Sequence, residues 1–335
     1  MQEINEKVLI TGGQGFIGSW IAKLLLNENK YEVIILDMKQ DHHILEQIMS
    51  IDMINKIKFV YSDICNFDHV NQIILENKPS FIIHLAALQI PGCKQNPIVG
   101  ANVNVIGTLN VFEAAKNLLE KQGKSTNIIY ASSAAVCGPS EDYEGVVKDN
   151  VGHNPMTFYG VYKQANEGSA RVYWSDYKIP SVGLRPFTVY GVGREIGVTS
   201  APTKLLKSCL FARDYNIPFS GKLCVNYVED IANLFISLGK LKDLQGSHVC
   251  NIQGDEITVE EWIAIVKKVL PDQSKSIKIS NSGNQLPFPT SFDQDLLDKL
   301  LGTKVKTTSP EQGIKSTLEI FESLYDKQLL KSNDL

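Results

Sequence analysis

The sequence predicts an α/β protein built on a doubly wound parallel β-sheet. Two observations lead to this prediction. Short apolar runs alternate with amphipathic helical patterns from Val8 to Arg185, as parallel strands and their crossover helices do. Polar or small residues end several of these runs, and the carboxyl ends of parallel strands form a common edge where ligands bind.

The first strand and helix are joined by a glycine-rich turn. The apolar run Val8–Ile10 leads to Gly12, Gly15 and Gly18, and an apolar helical pattern opens at Ile17. Glycine is needed where a turn bends sharply, where a ligand approaches the backbone, and where helix and strand pack closely. The N–H groups at the helix N-terminus can then bind a pyrophosphate, as in Rossmann-type folds.

The second predicted strand, Glu32–Asp37, ends in a carboxylate about 20 residues after the turn, the spacing of a ribose-binding acid. Asp37 would accept hydrogen bonds from the adenosine ribose and repel a 2′-phosphate, which favours NAD over NADP. Lys39 follows closely in the chain, and its positive charge keeps NADP open as an alternative.

Three further strands are predicted to end at the same edge. Lys58–Ile64 carries Asp63, where an adenine amino group could be met, although a strand-end or capping role explains this residue equally well. Ser80–Ala87 ends in small residues against which a cofactor can lie. Asn127–Ser133 ends in hydroxyl groups.

The alternation of strands and helices continues up to Arg185 and then ends. Predicted helices and strands are Asn102–Leu119, Phe158–Tyr177, Ser181–Arg185, Val228–Leu238, Val249–Ile252, Thr258–Leu270 and Pro310–Leu324. The stretch Phe187–Tyr227 has several glycines and prolines without clean alternation, and we expect it to cover the substrate. Residues 1–180 are assigned to an NAD-binding Rossmann domain, with 228–252 returning to it. Residues 181–335 form mainly the substrate-binding domain, and Lys331–Leu335 are expected to fray.

Composition narrows the function classes. The net charge is −4 without a basic run, which argues against a nucleic-acid partner. No apolar stretch approaches the roughly 20 residues of a membrane span, and the N-terminus has no signal-peptide pattern. Six scattered cysteines without a Cys-x-x-Cys pair argue against a metal site and against a disulfide framework. We therefore expect a cytoplasmic protein with reduced thiols.

A candidate catalytic group combines Ser133 with Tyr159 and Lys163. On a helix, residues four apart share one face, so Tyr159 and Lys163 would lie together. The ammonium and a positive nicotinamide ring would stabilise the phenolate and lower the pKa of Tyr159. Ser133 can hydrogen-bond the same substrate oxygen. Tyr162 is the rival tyrosine, but it points off that face and is interpreted as packing.

These residues resemble the extended short-chain dehydrogenase/reductases of the NAD-dependent epimerase/dehydratase family. The likeness runs essentially end to end, and the matching blocks are Thr11–Gly18, His84–Ala87, Asn104–Thr108, Ser132–Val136, Tyr159 with Lys163, Leu184–Gly191 and Tyr227–Asp230. The resemblance implies a Rossmann domain, a smaller C-terminal substrate-binding domain, and a catalytic triad of Ser133, Tyr159 and Lys163. It also implies a homodimer through the helices near Asn104 and Tyr159.

The resemblance also supplies a set of candidate binding residues. Those for NAD are Gly12, Gly15, Phe16, Ile17, Gly18, Asp37, Asp63, Ile64, Leu85, Ala86, Ala87, Asn104, Tyr159, Lys163 and Pro186. Those for the substrate are Ser133, Thr188 and Arg194. A threonine at 188, where many nucleotide-sugar enzymes have asparagine, resembles glucuronate-type 4-epimerases.

Three departures from the family bear on the reaction. Dehydratases of the family carry an Asp-Glu pair after the catalytic hydroxyl, where this chain has Ala134 and Ala135. Cys137 stands where the family usually has a tyrosine. It could serve as a catalytic thiol, or it could simply fill a small buried space. Leu223 stands where an arginine usually holds the substrate diphosphate; the candidate replacements are Arg194, Lys204, Arg213 and Lys222.

The sequence thus favours an NAD-dependent epimerase or oxidoreductase acting on a sugar hydroxyl, with a nucleotide-linked sugar as the expected substrate. The missing diphosphate arginine supports an alternative, a dehydrogenase of a small non-nucleotide hydroxy compound. A non-catalytic NAD-binding module is a third possibility, but such proteins usually lose the Tyr or the Lys, and this chain keeps both.

Overall fold

The structure, a computed structural model, describes residues 6–335. Its strands are β1 (Glu6–Thr11), β2 (Tyr31–Asp37), β3 (Lys58–Tyr61), β4 (Phe81–His84), β5 (Asn127–Ala131), β6 (Ser181–Arg185), β7 (Thr188–Tyr190), β8 (Tyr215–Ile217), β9 (Lys222–Tyr227), β10 (Ser247–Asn251), β11 (Asp255–Thr258) and β12 (Ile279–Asn281). Its helices are α1 (Phe16–Asn27), α2 (His43–Ile48), α3 (Ile51–Ile54), α4 (Phe67–Asn77), α5 (Ile90–Gln95), α6 (Pro97–Ala101), α7 (Gly107–Gln122), α8 (Phe158–Tyr177), α9 (Ala201–Leu210), α10 (Val228–Gly239), α11 (Val259–Val269), α12 (Pro271–Lys275), α13 (Asp295–Leu301) and α14 (Pro310–Asp326).

A parallel sheet of seven strands in the order β10-β6-β5-β4-β1-β2-β3 forms the centre. Successive residues of its inner strands are buried on opposite faces: Val8 and Ile10 pack into one core, and Leu9 packs into the other. This explains why the strands are continuous apolar runs. The order reverses direction at β1, which pairs with both β2 and β4, and such a switch point leaves a crevice for a ligand. The predicted Rossmann-type fold is confirmed.

Three predicted strands end earlier than expected, and one of them is β5, which stops at Ala131 and leaves Ser132 and Ser133 outside the ladder. β3 stops at Tyr61 and β4 stops at His84, so Asp63 and Ala86–Ala87 lie just outside the ladder. Residues that leave the ladder expose backbone groups at the sheet edge, where they can face a ligand. The predicted helix Phe158–Tyr177 is confirmed, and the helix predicted from Asn102 opens with a π-helical turn, Asn102–Ile106.

Elements after residue 185 build a second layer of strands and helices. β7, β9 and β11 form a three-stranded sheet, and β8 pairs with β12. α10 packs on α1, and β10 pairs with β6, so 228–252 returns to the central sheet. β6 belongs to the central sheet although it follows residue 180. The division into two domains stays a prediction.

The C-terminal residues are held by charge. Asp334 forms an ion pair with the nearly buried Lys207 at 2.5 Å, and the carbonyl oxygen of Ser332 accepts a hydrogen bond from Arg213 at 3.1 Å. The expectation that Lys331–Leu335 fray is therefore wrong, because these pairs attach the segment to α9 and the turn that follows it.

One helical run, Pro97–Gln122, is long and apolar enough to span a membrane, but half of it is buried inside the fold. Its α7 portion packs against α4 and α8. Its apolar face is thus used by the protein core, as in other core helices.

Candidate active site

A cavity of about 710 Å³ lies at the carboxyl ends of the central strands. Most of the predicted site residues line it, although they come from distant parts of the chain. They are Gly12, Gly15, Phe16, Ile17, Gly18, Asp37, Asp63, Ile64, Leu85, Ala86, Ala87, Ser133, Tyr159, Lys163, Pro186 and Arg194. The sheet edge predicted from strand ends is therefore a single concave site.

The glycine-rich turn allows the backbone to approach closely at the floor of this cavity. Gly12 has a φ of +68°, and a Cβ there would lie 2.8 Å from the amide nitrogen of Ala86. A Cβ on Gly18 would lie 2.7 Å from the carbonyl oxygen of Gly12. Gly15 is the N-cap of α1 and supplies no side-chain cap, which leaves the first N–H groups of the helix available to an anion. The turn fits a dinucleotide pyrophosphate.

Two carboxylates line the cavity where β2 and β3 end. Asp37 Oδ2 accepts a hydrogen bond from the Gln14 backbone N–H at 3.1 Å, which ties the end of β2 to the glycine-rich turn. Asp63 Oδ1 accepts one from the Cys65 N–H at 2.9 Å, so this residue caps a turn and also faces the cavity. Lys39 does not line the cavity. The arrangement suits an adenosine ribose without a 2′-phosphate.

Ser133, Tyr159 and Lys163 meet at the opposite part of the site. Ser133 follows β5, and the other two residues share one face of α8. The Lys163 ammonium lies 5.5 Å from the centre of the Tyr159 ring, and Ser133 lines the same cavity as these two residues. The triad predicted from spacing is therefore assembled in space.

The start of α8 is fixed by small-residue packing and capping. Thr157 accepts a hydrogen bond from the Gly160 N–H at 3.0 Å. A Cβ on Gly160 would lie 2.1 Å from the carbonyl oxygen of Ala135, so only glycine lets α8 approach the segment after Ser133. Tyr162 donates to the carbonyl oxygen of Pro97 at 2.8 Å and does not line the cavity, in agreement with a packing role.

Burial governs the proton affinity of the candidate catalytic residues. It raises the pKa of Tyr159, and the neighbouring Ser133 hydroxyl and the positive charge of Arg194 offset only part of this rise. Burial lowers the pKa of Lys163 to about 8, and the ammonium donates to the carbonyl oxygen of Ala131 at 2.6 Å.

Asn104 was predicted to bind NAD and Thr188 to bind the substrate, but neither residue lines the cavity. The Asn104 amide donates to the Leu88 carbonyl oxygen at 2.9 Å and accepts from the Leu88 N–H at 2.7 Å. Its polar atoms thus hold a cavity-lining loop instead of a ligand. Thr188 is fully buried in β7, and its hydroxyl has no hydrogen-bond partner. Cys137 is also buried outside the lining, and burial raises its pKa to about 11, which fits a filler.

Arg194 alone among the candidate replacement cations reaches the cavity. Leu223 is fully buried in β9. Lys204, Arg213 and Lys222 bind the C-terminal segment or a surface glutamate.

The guanidinium of Arg194 is only partly satisfied. Its Nη2 donates to Thr199 Oγ1 at 2.7 Å, and its centre lies 5.9 Å from the centre of the Phe16 ring. Its Nε is buried without a partner. A buried donor without a partner is costly, and Arg194 brings its positive charge to the cavity wall.

Sequence reasoning missed most of the apolar wall beside Arg194. Phe187 and Phe288 pack edge to face with ring centres 6.0 Å apart, and Leu286 and Leu88 complete the wall. We call Phe187, Arg194, Leu286 and Phe288 the substrate half, and the surface from Gly12 to Asp63 the cofactor half. The one available signal was two large apolar residues among prolines at 286–289, which is too weak to assign a role.

A family model, described as the NAD dependent epimerase/dehydratase family, matches residues 8–252. The chain belongs to this family. It is therefore an NAD-dependent enzyme of the extended short-chain dehydrogenase/reductase type, and the cofactor half fits NAD for the reasons given above.

Individual members differ in how much of the chain they cover. Protein CapI of Staphylococcus aureus is 30% identical over 188 residues, covering 55% of this chain and 54% of that protein. The UDP-glucuronate 4-epimerase of Thermodesulfobacterium geofontis is 25% identical, covering 92% of this chain and 94% of that protein. A structure of the Bacillus cereus UDP-glucuronic acid 4-epimerase with UDP-glucuronic acid and NAD is 25% identical with a TM-score of 0.79, covering 95% of this chain and 100% of that one.

Proposed function

We propose that this family member is an epimerase that acts on a sugar hydroxyl of a nucleotide sugar, with Tyr159 as the base. The observation that carries the proposal is the meeting of Ser133, Tyr159 and Lys163 in the cavity that begins at the glycine-rich turn. Two similar proteins that span nearly the whole chain are named as UDP-glucuronate 4-epimerases, which supports a uronic acid or related sugar.

Each catalytic side chain has a defined task in this proposal. Bound NAD supplies the hydride acceptor and a positive charge. The Tyr159 oxygen removes the hydroxyl proton, the Ser133 hydroxyl binds the same substrate oxygen, and Lys163 supports the phenolate by its charge. The substrate becomes a keto intermediate, turns over, and regains the hydrogen on its other face while Tyr159 returns the proton.

The segment after Ser133 argues against water elimination. Ala134 and Ala135 form a buried 3₁₀ turn there, and alanine can neither donate nor accept a proton. The site thus has the groups for oxidation and return of a hydrogen, without the acid pair that family dehydratases carry.

The scarcity of cations supports the second candidate, a dehydrogenase of a small hydroxy compound. Among the residues that line the cavity, Lys163 and Arg194 are the cations. A diphosphate carries at least two negative charges, and Lys163 is occupied at the catalytic position. A small monoanionic substrate would need only Arg194.

One assay separates the two candidates. The purified protein with NAD is incubated with UDP-glucuronate, UDP-glucose, free uronic acids and small hydroxy acids, and both sugar products and NADH absorbance are followed. We expect a nucleotide sugar to be converted to its epimer without accumulation of NADH. Steady accumulation of NADH with a small hydroxy acid, and no epimer from any nucleotide sugar, would replace the proposal by the second candidate.

We also propose a homodimer. The helices near Asn104 and Tyr159 expose apolar side chains, among them Ile98, Ile106, Phe158 and Val161, which are 44–75% exposed. Such a group is expected at a contact with a second copy. Light scattering during gel filtration gives the mass directly, and a monomer at all concentrations would contradict the proposal.

A further inference from the structure

Ser133 is bordered on both sides by residues whose polar groups are bonded to neighbouring elements. Before it, the Ser132 hydroxyl donates to Glu167 Oε1 on α8 at 2.5 Å. After it, the Ala134 N–H donates to the carbonyl oxygen of Pro186, the residue that follows β6, at 3.2 Å. The position of Ser133 therefore depends on how α8 and the end of β6 are held relative to each other.

A buried ion pair joins α8 to the end of β6. Arg185, the last residue of β6, donates from Nε to Glu167 Oε1 and from Nη2 to Glu167 Oε2, both at 2.8 Å. The two side chains are 2% and 8% exposed. Two parallel hydrogen bonds fix the angle as well as the distance between the charged groups. The carboxylate that binds Ser132 is thus also the one that holds β6.

Glu167 belongs to the same face of α8 as the candidate catalytic residues. Tyr159, Lys163 and Glu167 follow one another at intervals of four residues, so they lie along one side of the helix. The Lys163 ammonium donates to the carbonyl oxygen of Ala131 at 2.6 Å. Glu167, one turn later, binds the side chain of the next residue, Ser132. Two successive turns of α8 therefore hold two successive residues at the end of β5.

Neither member of the ion pair lines the cavity, so neither can touch a ligand there. The remaining nitrogen of Arg185, Nη1, donates to the carbonyl oxygen of Asp149 at 3.0 Å and to Asn251 Oδ1 at 3.1 Å. A buried ion pair often adds little net stability, because the cost of removing both charges from water offsets their attraction. The pair does, however, impose fixed directions on the elements that it joins.

We propose that Glu167 and Arg185 are positioning residues that hold the Ser133 hydroxyl in place beside Tyr159, and that Ser132 is the link between Glu167 and Ser133. The inference rests on the proposed function for the role of Ser133 in the reaction. It adds residues that act on Ser133 from behind, without contact with the ligand. The placement of Ser133 can be measured without any substrate.

Crystal structures of the full chain with bound NAD test the placement directly. Ser132→Ala removes the hydroxyl that binds Glu167 and leaves the ion pair intact. Glu167→Gln keeps the shape of the side chain but replaces one acceptor by a donor that faces the guanidinium of Arg185. In both variants we expect the Ser133 hydroxyl to lie about 1 Å or more from its wild-type position, a displacement large enough to impair catalysis.

Turnover of a nucleotide sugar gives the second measurement. The kcat of Ser132→Ala should fall by about tenfold or more, while KM and the affinity for NAD stay within about twofold of wild type. A purely structural role would lower the urea midpoint and leave kcat per folded molecule unchanged. Since Glu167 acts through Ser132, the double variant should lose no more activity than the worse single variant.

Ser181→Ala is the matched control. Ser181 is also a fully buried serine of the central sheet, at the opposite end of β6, and its hydroxyl donates to Ser247 Oγ at 3.0 Å. The variant loses the same kind of hydrogen bond without touching the ion pair. Both the position of Ser133 and kcat should equal those of the wild type.

The outcomes separate this inference from the proposed function. A Ser133 hydroxyl that keeps its wild-type position in Ser132→Ala, or a wild-type kcat in that variant, would overturn the inference even if the protein epimerises a sugar. A further loss in the double variant would overturn the role of Ser132 as the link. A displaced Ser133 in a protein that epimerises nothing would support the positioning and refute the proposed function. If Glu167→Gln does not fold, Ser132→Ala decides.

Discussion

The cofactor half and the substrate half of the cavity are built in different ways. The cofactor half uses backbone, with Gly12 and Gly18 in tight contacts and the N-terminus of α1 open to an anion. The substrate half uses side chains from separate loops, including Phe187, Arg194 and Phe288. Backbone geometry tolerates few sequences, whereas a wall of side chains can be rebuilt by substitution. The cofactor half can therefore keep its structure while substitutions in the substrate half change which ligand it binds.

Substitutions in the two halves should affect turnover and NAD affinity differently. Tyr159→Phe, at the place where the halves meet, should have the largest effect. Turnover should fall by about a thousandfold or more because the proton acceptor is lost. The affinity for NAD, measured by calorimetric titration, should change by less than about threefold, because the phenyl ring still fills the site.

Tyr162→Phe is the control for that variant. Its hydroxyl bonds to the Pro97 carbonyl oxygen outside the cavity, so turnover should stay within about threefold of wild type. Equal losses in the two variants would show that Tyr159 acts through the fold and not through proton transfer.

Gly12→Ala should damage the cofactor half selectively. The φ of +68° strains alanine, and its Cβ would lie 2.8 Å from the Ala86 nitrogen. We expect NAD affinity to fall by about a hundredfold, a loss of about 2.7 kcal/mol. Gly123→Ala has a similar φ, +64°, with open space around it, and should bind NAD normally in the same titration.

Phe288→Ala should damage the substrate half selectively. It removes one ring of the edge-to-face pair with Phe187, so KM for the substrate should rise about tenfold. NAD affinity should stay unchanged, as measured on the same preparation. A parallel loss of NAD affinity would mean that the two halves are not separable.

The last prediction concerns the stability of the frame of the cofactor half and not the affinity for a ligand. His84 lies between the Thr11 and Thr108 hydroxyls at 2.7 and 2.9 Å, and burial lowers its pKa to about 3 from 6.5. The unfolded chain therefore binds a proton that the folded chain excludes, and stability falls as the pH drops from 6.5 toward 3, by up to about 1.4 kcal/mol per pH unit. Urea unfolding at several pH values should show this slope, and His84→Asn should reduce it. An unchanged slope in the variant would assign the acid sensitivity to other groups.

The residues that line the cofactor half could be placed at one sheet edge from the sequence for a physical reason. A dinucleotide turn requires glycine at fixed spacings and an acid at the next strand end, so Gly12 and Asp37 could be found by position alone. Tyr159 and Lys163 were found because a helix puts residues four apart on one face. Each of these signals is local in the chain.

The substrate half could not be predicted in the same way. Phe288 meets Phe187 through tertiary packing across a hundred or so residues, with no local signal. The role of Asn104 was also missed, because the hydrogen bonds of its amide to Leu88 appear only once the loop after β4 is folded. The boundary at residue 180 was drawn before β6, although β6 joins the central sheet.

The fate of the substrate hydrogen tests the account most directly. A nucleotide sugar that carries deuterium on the carbon of the reacting hydroxyl is converted in ordinary water, and the product is examined by mass spectrometry. The account predicts that the epimer keeps its deuterium and that NADH does not accumulate, because the same hydride returns from an NAD that stays bound. Loss of deuterium to solvent, or steady accumulation of NADH, would contradict it.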